Sequence, residues 1–382
     1  MSSSRQIVIR IAGFALGFRI VSAILALLVN LVFPLDRPLQ FTVFADASPF
    51  WDTFARYDSG YFQGIAWDGY SPAAGGRSNI AYFPVYPMLI RLVGRLFGRH
   101  HATYYIAAIA IAWVSFVLAM VVLYYLARLD LPRRRAERAV LLTAIFPFAF
   151  FFGVAYSEST FLLFALLAFY LFRIKRWVLG GLCGAVATAT RVPGIMMLPA
   201  LAWIAWRSSI DARDRALASA GVALAASGFA AYCVYIYFLT GHPFEWAATL
   251  QRWGYYPGGA PWLAPVRLVG NLATHPYLYL TTDRMAPYDT LYGVTGLLFA
   301  AATPFVWRCF GAPYGLFMVM NLWLPLSSGV FEGMGRYCSV LFPCFIWLAT
   351  IRSRWISTAI VVVFAMFYTL GLALFTTVHP LF

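Results

Sequence analysis

Asp58 stands in the run Arg56-Tyr57-Asp58-Ser59-Gly60-Tyr61-Phe62, a carboxylate among aromatic rings in a chain where only 11% of residues are charged. A carboxylate held at a membrane surface can take the proton of a sugar or lipid-headgroup hydroxyl. The same pattern also fits an exposed aspartate paired with Arg56. Asp52 reads as a partner for the positive end of a helix, and Glu158, after Tyr156-Ser157, fits either a site or a helix cap. Arg56, Arg191 and Arg336 each lie beside short apolar segments. Charge at membrane depth is costly and commonly marks function; the alternative is snorkelling to lipid phosphates, expected for Arg91, Arg95 and Arg99. Arg19 fits either reading.

Other chemistries lack residues. The five histidines make no helical i,i+4 pair with carboxylates, so no metal site is expected. The five cysteines are odd in number, have no CxxC pair and lie in apolar segments, which reads as packing. No glycine-rich nucleotide loop follows a strand, so a transferase built this way would take a membrane-soluble donor.

The elements that must hold these groups are membrane helices. Of 382 residues 62% are hydrophobic, outside the range of soluble domains and of disordered chains. We expect an all-α polytopic protein, one domain over residues 1–382, with about eleven spans: 11–33, 104–127, 139–155, 158–173, 177–190, 192–206, 216–239, 288–307, 313–330, 337–351 and 355–377. The first run is too long for a signal core, and its only A-x-A lies well beyond it. The stripe Phe50, Phe54, Tyr57, Tyr61 and Ile65, after Ser48-Pro49, predicts an interfacial helix over 49–66. Residues 82–98, with Pro84 and Pro87, predict an interfacial or re-entrant piece. Two long outer loops cover about 34–103 and 241–287.

Threading these spans from a cytoplasmic N-terminus puts 16 basic and 4 acidic residues on the inner segments, against 12 and 10 elsewhere. This is the positive-inside asymmetry. The net charge of +14 therefore reads as topology, and no nucleic-acid partner is expected. Asp58 falls on the extracytoplasmic face. The near-exclusive use of arginine over lysine fits a GC-rich bacterial genome, hence a bacterial inner membrane.

The segment from Arg56 to Tyr70, followed by Ala81-Tyr82-Phe83-Pro84-Val85-Tyr86-Pro87, resembles the first outer loop of the PIG-V family of GPI mannosyltransferase II and its bacterial relatives. These are C-fold, polyprenyl-phosphate-dependent glycosyltransferases. Ala155-Tyr156-Ser157-Glu158-Ser159, Thr190-Arg191-Val192-Pro193-Gly194 and Gly335-Arg336-Tyr337 match in the same order. Thr240-Gly241-His242-Pro243, with Gln251 and Trp253 behind it, is similar to the bacterial branch. Tyr57 stands where the family usually has tryptophan. Tyr61 and Val192-Pro193 stand where eukaryotic members have histidine and serine-asparagine.

The resemblance implies a GT-C-like fold and a membrane mannosyltransferase. Asp58 is then the base, and a polyprenyl-phosphate sugar the donor. A lipid or glycan hydroxyl accepts the sugar with inversion, and membrane lipids surround the protein. Arg336 and Arg191 would hold the donor phosphate, as planar guanidinium suits phosphate oxygens. Arg56, Tyr57, Trp51, Tyr86, Glu158, Gln251 and Trp253 would line the substrates. No cofactor or metal is implied. The rivals are a lipid-linked sugar flippase or secondary transporter, which favours midplane charges and internal repeats, and a non-catalytic scaffold.

Overall fold

The computed structural model describes residues 2–36, 49–72, 78–98, 100–255, 260–277 and 287–381, and among them the fold is all helical. The chain enters through α1 (Ser2–Val32), then the short α2 (Pro49–Asp52) and α3 (Ser59–Asp68), the amphipathic α4 (Val85–Phe97) and the long α5 (His101–Arg128). Next come α6 (Arg133–Ile145), α7 (Glu158–Arg173), α8 (Trp177–Thr188), α9 (Leu198–Ser208) and α10 (Ala212–Thr240). The segment after α10 carries α11 (Glu245–Arg252) and α12 (Leu263–Thr274). The chain continues through α13 (Pro287–Phe310), α14 (Ala312–Leu326), α15 (Met334–Ser339), α16 (Phe342–Leu348) and α17 (Arg354–Thr376).

Helix occupies all eleven expected spans, but not as eleven uninterrupted rods. Among the described residues five helical stretches are long and apolar enough to cross singly: Arg5–Val32, His101–Arg128, Ala212–Thr240, Thr290–Phe310 and Arg354–Thr376. The stretch 139–155 stops at Ile145, ahead of Pro147, and resumes as a 3-10 turn over Ala149–Gly153. A proline has no N–H for the ladder and crowds the preceding residue out of helix. The stretch 337–351 likewise divides between α15 and α16.

Small residues set the tightest helix contact. A Cβ added to Gly184 would meet the Cβ of Ala225 at 2.5 Å, and one on Gly228 would meet the Ala185 carbonyl at 1.8 Å. This lets α8 and α10 touch backbone to backbone, the usual means of helix association in lipid. Between α6 and α7 the chain buries Phe148, Phe150, Phe151 and Phe152, with Phe148 on Tyr292 of α13, Phe150 and Phe151 on Phe375 of α17, and Phe152 on Phe116 of α5.

The expected helix over 49–66 is a correction. It breaks after Asp52, and Ser59 starts a new helix, while Ser48 lies outside the described residues. Residues 53–58 are held by partners from afar. Ala155 N–H donates to the Phe54 carbonyl (2.9 Å), Arg56 Nη2 to that of Thr376 (3.3 Å) and the Tyr57 hydroxyl to that of His379. The first of these engages the broken stretch's backbone and the other two anchor its side chains, and Tyr57 takes a left-handed φ of 48°, a costly conformation for a bulky side chain. Residues 82–98 hold an amphipathic helix, as expected for an interfacial piece: Tyr86 and Ile90 are buried, Met88, Leu92 and Leu96 exposed. Arg95 is exposed on it, and Arg99 lies outside the described residues. Arg19 does not snorkel. It is 1% exposed, donates to the Ala149 carbonyl at 3.1 Å, and lies over the rings of Phe116 and Phe18 at 4.3 and 4.9 Å.

Candidate functional site

Four charged side chains from distant parts of the sequence meet at the N-terminal end of α7. Asp58 precedes α3 in the N-cap position, yet its side chain does not cap the helix. An aspartate there ordinarily accepts from a backbone N–H of the first turn. Here Oδ1 accepts from the Tyr82 hydroxyl at 2.8 Å and Oδ2 from Arg336 Nη1 at 2.6 Å. The carboxylate is aimed across the molecule and remains about one-fifth exposed, the most open of the four.

Glu158 begins α7, where the helix dipole favours a carboxylate, and its side chain is fully buried. It pairs with Arg191 and accepts from Arg336 Nε at 2.6 Å. Oε2 is buried with no hydrogen-bond partner among the described residues. Arg191 is set by an extended residue ahead of the 3-10 turn Val192–Met197. Gly194 lets that turn lie on α8, since a Cβ would meet the Ala187 carbonyl and the Thr188 Cα at 2.5 Å. The Arg191 guanidinium lies 5.6 Å from the Tyr337 ring centroid.

Arg336 joins the two acids. Its Nε goes to Glu158 and its Nη1 to Asp58, and Nη2 makes no hydrogen bond to the protein among the described residues. The guanidinium lies over Tyr156 at 4.5 Å and Phe151 at 5.3 Å. It sits in α15, which follows Gly333 in a left-handed conformation (φ 70°). The neighbouring Gly335 faces Phe148, whose ring a Cβ would meet at 2.3 Å. Its lack of a side chain therefore serves core packing and not the approach of a ligand.

An aromatic wall flanks Asp58. Tyr61 stacks on Tyr82 at 4.9 Å, and Trp253 packs against both at 5.4 and 5.6 Å. Burial, and then the Asp58 carboxylate, push the Tyr82 phenol above its ordinary range, so it stays a donor. Burial, then the Glu332 and Asp58 carboxylates, push Tyr255 up likewise. Tyr82 and Tyr156 lay in segments already singled out, but as rings among many. Nothing in their spacing marks Tyr82 as a donor to the Asp58 carboxylate, or Tyr156 as the hydroxyl that accepts from the Asp58 backbone N–H at 3.3 Å. Tyr255 and Glu332 carried no signal.

Several expected substrate contacts lie elsewhere. Arg56 is fully buried and pairs with Asp52, so neither the Asp58–Arg56 pair nor Asp52 as a simple dipole partner describes the structure. Tyr57 turns to His379 and Phe375. Tyr86 has no exposed surface; its hydroxyl donates to the Ala108 carbonyl at 2.9 Å and Phe62 packs edge-on at 5.0 Å. Trp51 packs with Phe50 and beside Ala55 and Tyr105. Gln251 is solvent-exposed. Among the described residues no three His, Cys, Asp or Glu side chains gather as metal ligands.

A family model described as dolichyl-phosphate-mannose-protein mannosyltransferase matches residues 81–238. That stretch holds Glu158 and Arg191 but not Asp58 or Arg336. No curated protein matches the chain by sequence. Among solved structures, the Archaeoglobus fulgidus oligosaccharyltransferase tethered to an acceptor peptide superposes with a TM-score of 0.51 at 14% identity, over 96% of this chain and 55% of that one. The same enzyme in complex with Zn and sulfate gives 0.52 at 14% identity, over 95% and 53%. The chain thus spans about half the length of that oligosaccharyltransferase, and it shares its helical GT-C fold.

Proposed function

We propose that this chain is an integral-membrane glycosyltransferase that moves a sugar from a polyprenyl-phosphate donor to a hydroxyl of a glycolipid or glycan. One observation carries the assignment: Asp58, Glu158, Arg191 and Arg336 converge, with an accessible carboxylate beside a guanidinium that has an edge to spare. The family match over 81–238 and the shared fold support it, since both point to membrane sugar transferases.

Asp58 takes the proton of the acceptor hydroxyl as that oxygen attacks the anomeric carbon. The glycosidic C–O bond to phosphate breaks on the opposite face, which inverts the centre. Tyr82 and Arg336 hold the carboxylate in one orientation. The donor phosphate carries one negative charge before the bond breaks and two after, so arginines beside it bind the transition state more tightly than the ground state. Arg336 Nη2 and Arg191 supply that stabilisation. Glu158 offsets their charge before the donor binds and buttresses their geometry. Tyr61, Tyr82 and Trp253 offer ring faces to the sugar or prenyl chain. The polyprenyl phosphate is itself a good leaving group, and no metal is needed.

Mannose as the sugar follows from the PIG-V resemblance, as does a bacterial inner-membrane setting. The arginine distribution supports a cytoplasmic N-terminus with Asp58 outside. A transporter would place its ionisable groups near the midplane, whereas this cluster gathers at helix ends. Incubating purified protein with a panel of synthetic polyprenyl-phosphate sugars and acceptors, and identifying products by mass, tests the assignment. Release of polyprenyl phosphate with a new glycoside supports it, and intact donors throughout the panel would sink it.

A further inference from the structure

At the other end of α7 is a second charged cavity that plays no part in the proposed transfer. It has a volume of about 220 Å³ and is lined by Arg173, Arg207, Ser208, Trp203, Asp130 and Tyr314 among others. One helix separates it from the Asp58 cluster: α7 runs from Glu158 to Arg173, about 22 Å at 1.5 Å per residue.

The charges in this cavity are unequal. Arg173 and Asp130 neutralise each other through paired bonds of 2.8 and 3.0 Å, and the Tyr314 hydroxyl adds a bond of 3.2 Å to the same carboxylate. Arg207 has no protein partner among the described residues and is exposed at the cavity wall. The lining therefore carries one uncompensated positive charge, with the Ser208 hydroxyl next to it. The outward surface is aromatic: Trp203 is 38% and Trp206 63% exposed, packed edge to face at 5.7 Å. Exposed tryptophan with arginine on one helix end is the pattern of residues at headgroup depth, and basic pockets between membrane helices hold lipid phosphates.

We propose that this cavity binds the phosphate of an anionic membrane lipid on the arginine-rich face, with Arg207 gripping the phosphate and Trp203 lying along the glycerol and upper acyl chain. Arg173 stays with Asp130 and contributes N–H donors without net charge. The site is independent of the transfer reaction.

Native mass spectrometry of the full chain, titrated with phosphatidylglycerol, tests this. Arg207→Gln lies on the surface and leaves the fold intact; Arg213→Gln removes an exposed arginine from the same face as a control. The wild type and the control should retain one phosphatidylglycerol, and Arg207→Gln should bind it roughly fivefold more weakly, the effect of one arginine near a charged surface. Equal binding by all three proteins would overturn the site, and so would equal retention of phosphatidylcholine by the wild type. Inorganic phosphate at millimolar concentration should not displace the lipid. If it does, the cavity takes free phosphate and the lipid assignment fails.

Discussion

The two ends of α7 present the same three residue types in different states of closure. At the Arg173 end, guanidinium and carboxylate meet fork to fork, so both Asp130 oxygens face one arginine, and Tyr314 bridges the pair. At the Glu158 end, Arg336 divides its fork between two acids, and each Asp58 oxygen takes a single donor. The bidentate pair occupies both Asp130 oxygens and cancels its own charge, leaving only the outward N–H groups of Arg173. A divided one leaves lone pairs and an N–H edge for something else. Residue type alone does not make a site; the difference lies in adding Glu158, which turns a closed pair into an open chain of charges.

The strongest way to break this contrast is to remove one carboxylate at each end. Asp58→Asn keeps shape and most hydrogen bonding but not the proton acceptor, and should lower transfer by roughly 10²–10⁴-fold with donor still bound. Asp130→Asn should leave turnover near that of the wild type. If both variants transfer sugar normally, Asp58 is not the base. Next in size is Arg336→Lys. A single ammonium cannot reach Glu158, Asp58 and a phosphate as the planar fork does, so apparent donor affinity should fall about tenfold, the loss of one charge-assisted bond. A donor titration unchanged from wild type would shift the phosphate to Arg191.

Smaller effects sharpen the picture. Tyr82→Phe removes the donor to Oδ1 and should slow turnover by a few-fold without changing donor affinity. The Tyr82 phenol is held above its ordinary range, so it stays protonated below about pH 10. The wild-type and Tyr82→Phe rate profiles should therefore run parallel up to that pH. A wild-type alkaline fall that the variant lacks would mean the phenol titrates there after all. At the closed end, Asp130→Asn should cost about 1 kcal/mol of stability, as for a partly exposed pair, read as a modest drop in melting temperature. No drop at all would make the pair ornamental.

Much of the open end was legible because its residues carry charge where the composition is apolar. Asp58, Glu158, Arg191 and Arg336 each stood out against a membrane background. The aim of each side chain was not legible. The stripe from Phe50 to Ile65 has a helical period, yet the helix breaks at 53–58, where Ala155 takes the Phe54 carbonyl and the carbonyls of Thr376 and His379 hold the Arg56 and Tyr57 side chains. Local periodicity cannot register partners from far along the chain. Arg56 and Tyr86 looked like site residues by type, and burial assigned them to the interior. The closed end was invisible for the opposite reason: its arginines were already explained as topology, and nothing in a charge count tells a sealed pair from a lone Arg207.

The long sequence separations within the cluster set an order of assembly. Glu158 meets Arg191 soon after both emerge, but Arg336 is 178 residues beyond Glu158 and 278 beyond Asp58. At ordinary rates of synthesis, roughly 10–35 s pass between Glu158 and its second arginine. Through that interval Asp58 lacks the partner that orients it, and one acid–arginine pair stands where the finished protein has a four-part network. A ribosome stalled before α15 would thus leave most of the helices made and the cluster without Arg336. The cluster is completed late, when Arg336 docks under Tyr156.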